Sequence, residues 1–374
     1  MLIACNIATI QYLAMYGVLS SNRPESHHPG NPCRLMFLKN VQSCFATIFI
    51  IAFINTVFIV QLTQHHEVNF DYTLVPTSNR TINSNNARIP GIIWLMSYPN
   101  SGTTYTIHLI EQSTQTTVAT NYAQEPRKRG YDVKPLYVQS PEGPFIHNTT
   151  LALPRTPYIM TKTHCSGYCS ECPQNRYIIN KNKFLKACSE CNNNGIRTSY
   201  EKNIVPSKTI RLVRNPLDNV VSNFHHWQKK QRRQNKTALT DDDRGFKQYC
   251  RIQNEKYDAI PANEKKPKLK KVQDFFTVIP CHQSFFRYVQ WHNNAERITQ
   301  PTLVVYYDDY ERDFEQTTKD ILLFLEIDAM FPKPIFKAGK TYDFFTAKER
   351  KAVWNLVKTM ALPSFWDKVK KYES

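Results

Sequence analysis

An octapeptide, Tyr98-Pro99-Asn100-Ser101-Gly102-Thr103-Thr104-Tyr105, lies between the apolar run Ile92-Ile93-Trp94-Leu95-Met96 and the segment Ile107-His108-Leu109-Ile110. This order predicts a strand, a tight loop and a helix, the opening unit of an α/β layer structure. It also builds an anion site. The N–H groups of the loop and of the first helical turn have no partner inside the helix, and the helix dipole adds positive charge where they point. Ser101, Thr103 and Thr104 supply hydroxyl donors, and Gly102 lets the backbone approach an anion closely. The G-x-x-x-x-G-K-[ST] pattern of ATP and GTP loops is absent, and no Lys precedes a Ser or Thr at this turn. The expected ligand is therefore phosphate-like without being an ordinary triphosphate.

Further segments follow in a fixed order. Thr161-Lys162-Thr163-His164 closes the apolar stretch Tyr158-Ile159-Met160. Ile210-Arg211-Leu212-Val213-Arg214-Asn215-Pro216 leads to Asp218 and Ser222, so Arg214 stands where a strand gives way to a helix, and Ser222 lies about two turns along that helix. An Arg there grips phosphate bidentately and a Ser hydroxyl completes the pocket. Taken singly, Arg214 reads as a surface partner of Asp218, and His164 as a structural histidine. Leu303-Val304-Val305-Tyr306-Tyr307-Asp308-Asp309-Tyr310 and Asp320-Ile321-Leu322-Leu323-Phe324-Leu325 supply a late strand and helix.

Together these segments resemble the sulfotransferases that use 3′-phosphoadenosine 5′-phosphosulfate (PAPS), over roughly residues 91 to 346. The resemblance implies that Asn100, Ser101, Gly102, Thr103, Thr104 and Tyr105 form the 5′-phosphosulfate loop, and that Arg214 and Ser222 hold the 3′-phosphate. It makes His164 the catalytic base and Lys162 a cation that stabilises charge on the donor. The family's late Arg-Lys-Gly segment is loosely matched by Lys337-Ala338-Gly339-Lys340, which adds Lys337, Gly339 and Lys340 to the donor site. Family loops commonly carry Lys where this chain has Asn100, an amide that donates a hydrogen bond but brings no charge. Lys162 is then the expected cation for the leaving group. No metal is expected in this chemistry. A nucleotide kinase-like transferase would share the strand, loop and helix but not the missing loop Lys, and a silent glycan-binding protein would keep the charge without the turnover.

The expected fold class is a three-layer α/β, P-loop-like sulfotransferase fold with a mainly parallel central sheet, with strands near 92–97, 157–161, 209–213 and 302–307. It is preceded by one transmembrane helix. Within the 374 residues, positions 44–62 carry no charge and are just long enough for one span. Arg34 and Lys39 precede that run while His65, His66, Glu67 and Asp71 follow, so the positive-inside rule puts residues 1–43 in the cytosol. Residues 63–90 read as a stem and 91–374 as the sulfotransferase domain, lumenal in a single-pass type II Golgi membrane protein. Sequons at Asn79, Asn148 and Asn235 all follow the span.

Cys169-x-x-Cys172 and Cys188-x-x-Cys191, with Cys165 upstream, fit a four-cysteine zinc template or a set of disulfides. The lumenal setting favours disulfides. The formal net charge is +17, with basic runs at 228–233 and 265–271. No nucleic-acid fold motif accompanies them. Such a surface attracts an anionic acceptor, most naturally an acidic glycan.

Overall fold

The computed structural model describes residues 90–146, 151–167, 180–200, 206–258, 272–337 and 343–373. In chain order the elements are β1 (Gly91–Ser97), α1 (Thr103–Thr114), β2 (Ala119–Thr120), α2 (Gln124–Arg127), β3 (Lys134–Tyr137), β4 (Ser140–Ile146) and β5 (Tyr158–Thr163). Next come α3 (Lys181–Cys188), β6 (Glu190–Asn193), β7 (Ile196–Ser199), β8 (Lys208–Val213), α4 (Pro216–Arg233), α5 (Asp243–Asp258), α6 (Gln273–Phe276) and α7 (His282–Ala295). The described part ends with β9 (Thr302–Tyr306), α8 (Asp309–Arg312), α9 (Phe314–Leu325), α10 (Ala347–Met360) and α11 (Pro363–Val369), closed by a short 3-10 turn.

The sheet order is β3-β4-β2-β5-β1-β8-β9. From β2 to β9 all pairs are parallel, and β3 and β4 add an antiparallel edge. Strand β1 is central and buried throughout from Ile92 to Ser97, the pattern of a parallel strand covered on both faces. Its side chains alternate between two cores. Ile92, Trp94 and Met96 join Phe224, Phe285, Trp291, Val353 and Phe365; Ile93 and Leu95 join Leu109, Ile110, Ile321 and Leu325. That period of two puts α1 and α9 on one face and α4, α7, α10 and α11 on the other, giving the three layers expected.

The expected strands are present, with β5 reaching Thr163. The amphipathic stretch from Glu311 to Glu326 is divided at Asp313, whose non-helical backbone (φ −145°, ψ 56°) separates α8 from α9. Strands β2, β3, β4, β6 and β7 were not anticipated. None has a long apolar run: β2 has two residues, β3 contains Pro135, and β6 and β7 form a separate polar pair. Among the described residues no helix is long and apolar enough to cross a membrane; the proposed tail, span and stem up to residue 89 lie outside them.

Candidate active site

The phosphate loop leaves β1 at Ser97. Asn100 (φ 64°) and Gly102 (φ 101°) both take left-handed backbone conformations. Glycine is required at 102 for a second reason, since a Cβ there would meet the Tyr307 ring at 2.7 Å. Helix α1 starts with no side-chain cap and no acidic residue in its first turn, so its N–H groups and dipole stay available to an anion. Ser101 and Thr103 are buried and Thr104 is exposed. Tyr105 turns away into an aromatic group, 4.8 Å from both Tyr310 and Phe336, and its hydroxyl donates to the carbonyl of Pro334.

A ladder of amides ties the loop to α4. Asn219 Nδ2 donates to the Pro99 carbonyl at 2.8 Å and to Ser101 Oγ at 3.1 Å. Asn223 Nδ2 donates to Asn219 Oδ1 at 3.0 Å, and Asn100 Nδ2 donates to Asn223 Oδ1 at 2.5 Å. The position where related loops carry Lys thus holds an amide committed to a helix. Arg214 Nη1 donates to the Asn100 carbonyl at 2.8 Å, and its guanidinium lies over the Tyr307 ring at 4.2 Å. It does not close on Asp218, whose carboxyl is raised by burial even though Arg214 pulls it down. Arg214 Nε is buried and has no hydrogen-bond partner among the described residues, a donor left for an incoming anion. Ser222 sits half-buried on the same helix.

On the other side of β1 lies β5. Their register pairs Leu95 with Lys162 and Met96 with Thr163, which carries His164 alongside Ser97. His164 Nδ1 lies 3.0 Å from the Ser97 carbonyl and 3.1 Å from Ser97 Oγ. A carbonyl only accepts, so Nδ1 carries the proton and Nε2 is the basic nitrogen. Ser97 Oγ is itself 2.6 Å from Thr103 Oγ1, which links the histidine to the start of α1. The Tyr122 ring stacks on His164 at 5.5 Å, and its hydroxyl accepts from the His164 N–H. Burial, with Lys162 next, pushes His164 down to about 4, against the pull of Glu125 and the Ser97 carbonyl. It is neutral near pH 7, so Nε2 can accept a proton.

Lys162 is buried and paired with Glu125 at 2.5 Å. Burial would raise the Glu125 carboxyl, but Lys162 and His164 outweigh it and hold it below the usual range. A neutral imidazole beside a partly buried ion pair, at the edge of an uncapped helix N-terminus, can move a proton next to a bound oxyanion. A family model described as a sulfotransferase domain matches residues 90–371. The chain belongs to the sulfotransferase family.

Among solved structures, this sulfotransferase is similar to a mouse sulfotransferase, SULT7A1, crystallised with PAP. The identity is 16%, covering 75% of this chain and 89% of that one, with a TM-score of 0.36. No curated protein matches the chain. The sulfotransferase places Lys337 exposed, next to Phe336, whose ring packs on Tyr105; Gly339 and Lys340 lie outside the described residues. Sequence reasoning missed Ser97, Tyr122, Glu125, Asn219, Asn223 and Tyr307. Only Asn219 and Asn223 carried a signal, as polar residues one turn apart on the helix that follows Arg214.

Cys165 bonds Cys188, which anchors the segment after His164 to the end of α3. With Cys188 spent in a disulfide, the four-cysteine zinc alternative loses a ligand, and no metal-holding group occurs among the described residues. Cys191 is a buried thiol, while Cys169 and Cys172 lie outside the described residues. A second bond, Cys250–Cys281, joins α5 to the residue before α7.

Proposed function

We propose that this sulfotransferase moves a sulfuryl group from PAPS to a hydroxyl on an anionic glycan, as a lumenal domain held by one membrane span in the Golgi. The observation that carries the chemistry is the His164 tautomer, fixed by the Ser97 carbonyl beside the phosphate loop. The donor fits the residues present: the open end of α1 and the hydroxyls of Ser101 and Thr103 suit the phosphosulfate, and Arg214 with its partnerless Nε suits the 3′-phosphate. His164 Nε2 takes the acceptor hydroxyl proton as that oxygen bonds to sulfur, and the bond from sulfur to the bridging phosphate oxygen breaks. The products are a sulfate ester and 3′-phosphoadenosine 5′-phosphate (PAP), whose new charge is met by the loop N–H groups and by Lys162.

The two disulfides among the described residues support an oxidising compartment, and the net charge of +17 supports an acidic acceptor. The test incubates a secreted form starting at residue 63 with labelled PAPS and a panel of polysaccharides, peptides and small phenols. Transfer to an acidic polysaccharide is expected. Transfer confined to peptides or phenols overturns the acceptor, and PAP binding without transfer to any acceptor class makes the protein a silent binder. Carbonate extraction and glycosidase digestion of the full chain check the topology. A soluble chain without glycans overturns the anchor.

A further inference from the structure

Helix α4 changes chemistry along one face. Asn219, Asn223, His226, Lys230 and Arg233 recur at three- and four-residue steps and so share that face, with Lys229 on its flank. The opposite face buries Leu217, Val220, Val221 and Phe224. At its start the polar face is pinned to the phosphate loop through Asn219 and Asn223. One turn further comes His226, exposed, followed by Lys229 and Arg233, also exposed.

This cationic stretch adjoins the catalytic cluster. Although much of its surface is exposed, desolvation by its neighbours lowers His226, and Lys229, Arg233 and Lys230 lower it further, while Glu125 pulls it up. Glu125 is the carboxylate that holds Lys162 at 2.5 Å. Cations in the last turn also suit the helix dipole, which accounts for Arg232 on another face as well. The dipole does not account for alignment, because like charges three and four apart destabilise the helix. The sequence keeps them in a row that begins where the loop contacts end.

We infer that the face of α4 from His226 to Arg233 is the acceptor track: it holds the sulfate or carboxylate groups of an acidic polysaccharide whose neighbouring sugar presents its hydroxyl to His164. The inference rests on the proposed sulfuryl transfer and adds the surface that selects the acceptor. From Asn223 to Arg233 the helix rises about 15 Å, and its turns are about 5.4 Å apart. Cations spread along that rise complement a polymer that carries anions on successive units, as an acidic polysaccharide does.

The test is the triple variant Lys229→Ala, Lys230→Ala, Arg233→Ala in the secreted domain, assayed with PAP, a chondroitin sulfate octasaccharide and polyglutamate of matched charge. Alanine suits an exposed helix, so the fold should survive; unchanged PAP affinity verifies this. Octasaccharide binding should weaken roughly tenfold with a shallower salt dependence, chiefly from the exposed cations Lys229 and Arg233. A control triple on other surfaces, Lys319→Ala, Lys348→Ala, Lys351→Ala, should bind like the wild type. Unchanged octasaccharide binding in the first variant, equal loss in the control, or tighter binding of polyglutamate than of octasaccharide overturns the track. A wild-type domain that binds no PAP instead overturns the proposed donor, and the track with it.

Discussion

Around the phosphate loop the contacts are neutral. Asn219, Asn223 and Asn100 form a chain of amides, and charge enters only with Arg214. Around His164 they are ionic, with Lys162 buried against Glu125 and both acting on the imidazole. Amides hold a loop in place without offsetting the partial charge of the helix end, so an arriving phosphosulfate meets an uncompensated positive site. On the other side of β1 the opposite is needed: a proton acceptor whose state is set by neighbouring charge. One side should therefore govern donor affinity and the other turnover.

The largest expected effect comes from removing the base. His164→Ala should lower kcat by about 10²–10⁴-fold while PAP affinity, measured by calorimetry, stays nearly intact. Normal turnover in that variant would end the catalytic assignment. Lys162→Ala follows, with kcat down about 10²-fold and little change in donor affinity, because charge on the leaving group grows only in the transition state. It also leaves the half-buried Glu125 without its cation, so Tm should fall, and Lys162→Met with Glu125→Gln should restore Tm but not kcat. An unchanged kcat would mean that another cation reaches the sulfuryl group.

On the neutral side, Arg214→Ala should weaken PAP roughly tenfold to a hundredfold, the loss of charged hydrogen bonds to a phosphate, and leave kcat at saturating donor close to normal. A smaller loss, at most about tenfold, is expected for Asn223→Ala or Asn100→Ala. If both act through one contact, the double variant should bind PAP no worse than either single one. Asn100→Lys should also weaken PAP, since it breaks the ladder and puts a Lys at φ 64°. Tighter binding or faster turnover there would show that a cation is still wanted at that place.

The subtlest test is pH. His164 is held down at about 4, so its base form is present above that value and is lost as pH falls through it. The kcat/KM profile should stay flat from pH 7 to about 5 and then drop. Glu125→Gln removes the charge that pulls His164 up and should move this acid limb to lower pH. Folding follows the same sign: His164 contributes stability above the unfolded value of about 6.5 that is lost as pH falls towards 4.

Much of the donor side was legible because it is local. Strand β1, the loop and α1 are one continuous segment, and Arg214 and Ser222 flank another strand-to-helix turn; apolar runs and turn residues report such units directly. Lys162 and His164 were legible for the same reason, as the end of β5. Glu125 was not, because it meets Lys162 across 37 positions and the four-residue helix α2 that carries it is too short to leave a periodic trace. Tyr307, just past β9, carried no signal of its place under Arg214 and against Gly102, which arises because β8 and β9 are neighbours.

By itself the sequence determined the layered fold, the strand, tight loop and helix that open it, the candidate residues at the ends of β5 and β8, and the excess of positive charge, all of which depend on near neighbours and composition. The tertiary structure alone decided which nitrogen of His164 is basic, what neutralises Lys162, and that Asn100 spends its amide on a helix instead of on the donor. The reason is geometric: a hydrogen bond is lost over a fraction of an ångström, and only the stacking of β5, β1 and β8 brings residues so distant in the chain to that separation.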